Sequence, residues 1–355
     1  MHVGMSVFFQ NLDGGRSDAE VYRHELAMAD LAEPLGFDSV WSAEHHFDGY
    51  TMCPNVTQFL TYVAGRTTRV QLGSMVVVLP WHDPIRVAEE ISVLDHLSGG
   101  RVILGLGRGL GRIEFEGFRA PMSASRERFV AYAGAILRSI ETGCLESDEP
   151  AYRQPRVQIR PAPFKSFKGR VYAAAVSPES ARIMAQLCVG LLIIAQKPWD
   201  KTIAELEAYR GIYREINGVE APKPMLATWI ACDESAQAAE GMYERYLRRY
   251  SRSALEHYEF HNAGLADIKG YEYYGALAKN IEKHGTEKFV DFLAQLQVWG
   301  TPEEVYDKLV QYARYVDAAG VIGVFSYGGM PSDVAERNVR LFAQKVLPRL
   351  RSFSH

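Results

Sequence analysis

Apolar residues fall into short blocks separated by amphipathic stretches along most of the chain. Residues 3–9 form an apolar run closed by Gln10-Asn11-Leu12-Asp13-Gly14-Gly15, which predicts a first strand. Asp18 is placed to cap the next helix, expected to reach about residue 35. Gly36-Phe37-Asp38 then turns the chain into a second strand over 39–43. Further strand-like blocks occupy 69–79, 101–106, 171–175, 190–195, 225–231 and 320–325. The 69–79 run is rich in β-branched residues, as suits a strand covered on both faces. Between the blocks apolar residues recur at helical spacing, as in Val87/Ile91/Leu94 and Val305/Leu309/Tyr312/Val316. Thr301-Pro302-Glu303-Glu304 predicts a capping box at the start of the latter helix. Eight strands alternating with about eight helices imply an α/β fold closed as a (β/α)8 TIM barrel.

Two stretches depart from this rhythm. Residues 147–167 are proline-rich with alternating character, which predicts a small hairpin. Residues 251–298 are loose, with many tyrosines and glycines, and read as a partly helical insertion after strand seven. No repeat or low-complexity linker divides the chain, so 1–355 is read as one domain carrying that insertion.

Composition narrows the function classes. The 355 residues are 47% hydrophobic, as expected of a globular protein. The net charge of −4 is spread along the chain and offers no basic footprint for nucleic acid. Cys53, Cys144, Cys188 and Cys232 lie far apart without metal-type spacing, which fits buried, reduced thiols. No apolar run reaches membrane-spanning length, and residues 2–6 lack the features of a secretory signal. A cytoplasmic location is the expectation.

Candidate chemistry sits where strands end, because loops at those ends build the active sites of parallel α/β proteins. Glu44-His45-His46 closes the second strand and supplies a carboxylate and two imidazoles able to exchange protons near neutral pH. Three adjacent residues on a strand end alternate in direction, so these do not converge readily on one metal ion, and no metal site is expected. Ser177, with Pro178 and Ser180 behind it, stands at a helix start whose free N–H groups suit an anion. Gly105-Leu106-Gly107-Arg108-Gly109 lets a ligand approach the backbone, and Arg108 and Arg126 are cations in reach of the same end. This turn follows strand four and lacks the third glycine of a dinucleotide fingerprint. Ser74 and Met75 interrupt an otherwise aliphatic strand, and with Val76 they offer a wall for a flat ring. Phe8, Phe9, Trp81, Trp199, Tyr271 and Tyr327 are candidate pocket aromatics by position, with Phe9, Trp81 and Tyr327 preferred for substrate.

Taken in order, several motifs resemble the bacterial-luciferase-like flavin monooxygenases. They are Gly36-Phe37-Asp38-Ser39-Val40-Trp41 with Glu44-His45-His46-Phe47, Val78-Leu79-Pro80 with Asp83-Pro84-Ile85-Arg86, and Leu94-Asp95 with Ser98-Gly99-Gly100-Arg101. Gly107-Arg108-Gly109, Ser125-Arg126 and Gly300-Thr301-Pro302-Glu303 complete the set. The resemblance implies reduced FMN supplied by a separate NAD(P)H:flavin reductase, with molecular oxygen forming a flavin peroxide that oxidises a small organic substrate. It also implies a homodimer. By position, Arg108, Arg126, Ser177 and Ser180 would hold the FMN phosphate, with Val176 beside them. Met75 and Val76 would lie under the ring, where the family often has a non-proline cis peptide. His45 would be the catalytic imidazole, oriented by His46 and Glu44. Luciferases themselves carry a reactive cysteine where this chain has Gly107 and an acidic residue at Val176, so light emission is not implied. The glycine is expected to leave room for a bulkier substrate. A deazaflavin-dependent dehydrogenase on the same barrel, a non-catalytic flavin-binding relative and a metal-dependent hydrolase are the rival readings.

Overall fold

The computed structural model describes residues 1–174 and 178–353. Among them the chain forms β1 (His2–Val7), β2 (Ser39–Ser42), β3 (Gln71–Ser74), β4 (Val77–Val78) and β5 (Val102–Gly107). β6 (Cys144–Glu149), β7 (Tyr152–Gln158), β8 (Val171–Ala174) and β9 (Gly190–Ile194) follow. β10 (Met225–Cys232), β11 (Val298–Gly300) and β12 (Gly320–Val324) complete the strands. β1, β2, β3, β5, β8, β9, β10 and β12 pair in that order, all parallel, and β12 returns to β1 to close a (β/α)8 barrel. β6 and β7 are the antiparallel hairpin expected from 147–167. No helix among the described residues is long and apolar enough to cross a membrane.

Local rules explain most boundaries and three differences from expectation. Thr301 and Glu304 exchange the predicted reciprocal capping bonds. The first helix is capped by Ser17 rather than Asp18: Ser17 is extended and accepts from the Glu20 N–H, while Asp18 is already helical. The strand expected over 69–79 is interrupted between β3 and β4, where the Met75–Val76 peptide is cis. The insertion expected to begin at residue 251 begins inside a helix, Arg248–His257.

The barrel interior is filled by side chains, with Trp41, Ile103, Leu192, Met225 and Ile322 in one buried cluster. Trp41 needs two neighbours without side chains. A Cβ on Gly73 would lie 2.2 Å from its ring, and one on Gly4 2.7 Å from its indole nitrogen. Residues 251–298 carry helices Glu272–His284 and Thr286–Gln295 and continue from Arg248–His257. Phe260, Leu265, Tyr271, Tyr274, Ile281 and Leu293 pack there with Phe115 and Met122, which follow β5. The insertion thus has its own core, seated beside the C-terminal ends of the strands.

At the opposite end a buried ion pair joins the barrel to its helices. Arg170, just before β8, donates from both terminal nitrogens to Asp95 on helix Pro84–Ser98 at 2.8 and 2.9 Å. The same guanidinium reaches the carbonyls of Val102, Lys165 and Ser166 and lies 4.0 Å from the Phe167 ring centroid. Removing one member strands the other in a dry environment. Asp95→Ala is expected to destabilise the fold by about 3–5 kcal/mol, read from chemical denaturation midpoints. The doubly apolar Asp95→Leu/Arg170→Met is expected to cost less than the two single changes added together.

Candidate active site

Because all eight strands run in parallel, their C-terminal ends share one mouth. Glu44 and His45 follow β2, Met75 and Val76 precede β4 and Val78 ends it, Arg108 follows β5, and Gln196 follows β9. These residues line a single cavity with Arg126, Ser180, Tyr258 and Tyr274. Val176 and Ser177 lie outside the described residues; Ser180, on the helix Pro178–Gln186, lines the cavity.

His45 is held on both ring nitrogens. Its Nδ1 is 2.9 Å from a Glu114 carboxylate oxygen and 3.1 Å from His257 Nε2, and its Nε2 is 3.1 Å from the Tyr258 hydroxyl. His257 Nδ1 meets the Asp48 carboxylate at 2.6 Å. With both rings neutral, one assignment satisfies every contact. Asp48 can only accept, so His257 carries its proton on Nδ1 and presents a bare Nε2. His45 then carries its proton on Nδ1, shared between Glu114 and His257 Nε2, and its Nε2 accepts from the Tyr258 O–H. Glu114 also accepts the His46 backbone N–H at 3.0 Å. His45, Glu114 and His257 bring three potential metal-ligand atoms within 4.8 Å of one another. One shared proton already accounts for their convergence.

Glu44 does different work from that expected. It does not contact the His45 ring. One oxygen accepts from His82, Trp81 and His46 at 2.7, 2.8 and 3.1 Å, and the other from the Val78 N–H at 3.1 Å. Burial pushes this carboxyl up, but the hydrogen bonds from His46 and His82 and the His82 charge outweigh it and hold it near 2. Glu44 is therefore a fixed anion clamping the end of β2 to the loop after β4. The His46 ring turns from the cavity and packs edge-on to Phe118. The residues that orient His45 are Glu114, His257 and Tyr258, with Asp48 behind them, and sequence reasoning missed all four. The one local signal was a glutamate directly behind the glycine-rich turn.

Other expected site residues divide clearly. Arg108 donates to the Gly270 carbonyl at 2.8 Å and lies 4.2 Å from the Tyr271 ring centroid, while Arg126 reaches the same carbonyl at 3.5 Å. The two cations thus converge at the cavity edge. Ser74 is committed elsewhere: its hydroxyl accepts the Gly105 N–H and donates to the Gly105 carbonyl, closing the ladder where a Cβ on Gly105 would strike the Ser74 carbonyl at 1.9 Å. The room expected beside Gly107 is filled, since a Cβ there would lie 2.2 Å from Val76 Cγ2. Phe9 packs edge-on to Phe59 in the outer core, and Tyr327 is buried beside Tyr250; neither lines the cavity. Trp81 stands behind Glu44, stacked on Phe118. Phe8, Trp199 and Tyr271 are packing residues too, against Trp229, Tyr312 and Phe115 respectively.

The donor set fits a flavin nucleotide. Two guanidinium groups and the Ser180 hydroxyl suit a phosphate, and Met75, Val76 and Val78 form an apolar wall.

Comparisons with known proteins give the family and the fold. A family model described as luciferase-like monooxygenase matches residues 1–318. The alkanal monooxygenase alpha chain of Photobacterium leiognathi is 26% identical over 356 residues, covering 98% of each chain. Among solved structures, monooxygenase RslO1 from Streptomyces bottropensis superposes with a TM-score of 0.80 at 23% identity, covering 98% of this chain and 99% of that one. The oxygenating constituent of 3,6-diketocamphane monooxygenase from Pseudomonas putida, solved in complex with FMN, gives 0.72 at 16% identity and 99% coverage of both. An F420-dependent secondary alcohol dehydrogenase, in complex with an F420-acetone adduct, gives 0.71 at 14% identity, again covering 99% of both. At these identities the structural likenesses speak to the fold.

The proton arrangement around His257 is testable. Burial is the main influence and lowers its pKa, while Asp48 works against that by hydrogen bond and charge. Asp48→Asn keeps an acceptor but removes the charge, so His257 should stay neutral to lower pH than in the parent protein. Histidine 15N resonances followed from pH 8 downward would show it; an unchanged titration would mean that Asp48 does not govern this ring.

Proposed function

The chain belongs to the luciferase-like monooxygenase family, and on that premise we propose an FMN-dependent monooxygenase of the two-component type. Reduced FMN arrives from a separate NAD(P)H:flavin reductase and, when bound, supplies the electrons that activate molecular oxygen for attack on a small organic substrate. The observation that carries this reading is the single cavity in which the Arg108–Arg126 pair, the Met75–Val76 wall and His45 all meet.

Each residue then has a physical task. Arg108 and Arg126, with Ser180 and the neighbouring Val176 and Ser177, bind the phosphate end. Met75 and Val76 give the ring an apolar wall and keep water from one side. His45 exchanges a proton at Nε2, the atom facing the Tyr258 hydroxyl. Glu114 stabilises the positive ring that results, and His257 with Asp48 fixes the ring's orientation. Glu44 and His46 act on this site through the loop they hold. Residues 1–355 work as one domain, cytoplasmic and homodimeric, with 251–298 covering the site.

A second reading, the deazaflavin chemistry hosted by the same fold in the F420-dependent dehydrogenase, is hydride transfer without oxygen. Anaerobic titration with reduced FMN and with reduced deazaflavin, followed by oxygen admission, separates the two. Preference for reduced FMN together with oxygen uptake is expected; preference for deazaflavin with no uptake would overturn the monooxygenase. Arg108→Ala should weaken reduced FMN by about tenfold or more, as loss of a charge-assisted contact does. His45→Ala should leave that affinity within about threefold while product formation falls by about 10²–10⁴-fold. Undiminished oxidation in His45→Ala would remove the imidazole from the mechanism.

A further inference from the structure

A second groove adjoins the cavity. It lies between the segment after β9 and the helices Glu272–His284 and Thr286–Gln295, and its volume is about 360 Å³, within the range of small-molecule sites. Gln196, Tyr273 and Tyr274 line both spaces, so the two share a wall. The groove floor is apolar and largely aromatic: Phe260, Ile281, Phe289 and Leu293 are buried there.

Its rim carries lysines. Lys197, Lys201 and Lys288 line it, and no aspartate or glutamate is among the described lining residues, although acidic groups outnumber basic ones in the chain, 43 to 39. Lys197 is engaged, 2.7 Å from both oxygens of Glu205 and 4.9 Å from the Tyr273 ring centroid. Lys201 and Lys288 are exposed. With Lys197 balanced by Glu205, the ammonium groups of Lys201 and Lys288 beside an apolar floor favour an anion over a cation.

We infer that this groove binds the organic substrate as a ring-bearing anion. Its rings lie against Phe260, Phe289 and Ile281, its carboxylate or equivalent group faces Lys201 and Lys288, and its reactive end passes Tyr273 and Tyr274 towards the flavin cavity. The inference rests on the reading above that the adjoining cavity holds the flavin, and it adds the substrate's charge and shape class.

Three probes sharing one ring system test it on the full-length protein by titration calorimetry at low salt. They are 2-naphthoate, neutral 2-acetylnaphthalene and cationic 2-naphthylmethylammonium. The expected order is anion, neutral, cation, with the anion favoured over the neutral probe by about fivefold or more, a modest gain in keeping with partly exposed charges. In Lys201→Gln/Lys288→Gln, both surface positions, the anion should fall to the affinity of the neutral probe while the neutral probe is unchanged. Equal binding of all three probes, or an anion preference that survives the double substitution, overturns the inference. Reduced FMN titrated in parallel separates the two claims. Normal FMN binding without anion preference removes the groove's role and leaves the monooxygenase reading intact. Anion preference without FMN binding does the reverse.

Discussion

One proton on the Nδ1 of His45 holds the mouth of this barrel together. It is shared by a carboxylate from the segment after β5 and an imidazole from the insertion, and that imidazole is fixed in turn by Asp48 from the loop after β2. Three segments far apart in sequence thus meet at one nitrogen. A buried polar group that loses its partner costs about 1–3 kcal/mol, and a buried charge more, so none of these segments can withdraw independently. The same economy governs the neighbouring Glu44, whose four donors come from the loop after β2, from β4 and from the loop after it. Burial pushes this carboxyl up; the bonds from His46, His82 and Val78, with the His82 charge, keep it ionised.

The barrel beneath makes such precision possible. Its interior is plugged by Trp41, seated in the space that Gly4 and Gly73 leave empty, and its far end is locked by Asp95 and Arg170. The ion pair is remote from the cavity, and the Trp41 cluster underlies it, reaching it through Met75, Val76 and Ile194. The chemistry-bearing residues therefore sit on strand ends whose positions are set by packing elsewhere, which is the condition for holding ring nitrogens and carboxylates within hydrogen-bonding distance.

What could be read from the chain was what short-range pattern encodes. The alternation of apolar blocks gave the barrel, and Thr301-Pro302-Glu303-Glu304 announced its own cap. Glu44-His45-His46 was visible because it stands where a buried strand stops. The partners of His45 were not, because contacts spanning 69 and 212 residues leave no trace in local spacing. Ser74 misled for a related reason: a polar residue in an aliphatic strand reads as a ligand, yet its hydroxyl repairs the ladder at Gly105. Gly107 misled because a missing side chain reads as space, and Val76 fills it. Residues 251–298 looked loose because their apolar residues answer to Phe115 and Met122 rather than to the barrel's own rhythm.

That segment turns out to carry much of what distinguishes this site. It supplies His257 and Tyr258 to the two nitrogens of His45, and the Gly270 carbonyl on which Arg108 and Arg126 converge. It also supplies Tyr273 and Tyr274, the wall between cavity and groove. The barrel contributes the generic parts: an apolar platform at Met75 and Val76 and an imidazole on a strand end. Selectivity then belongs to the insertion, since a change in its helices would move the proton network, the cation pair and the groove together. A barrel of this kind can keep one cofactor chemistry and exchange substrates by altering a single excursion, because the excursion meets the imidazole, the cation pair and the groove while the strands that position them stay as they are.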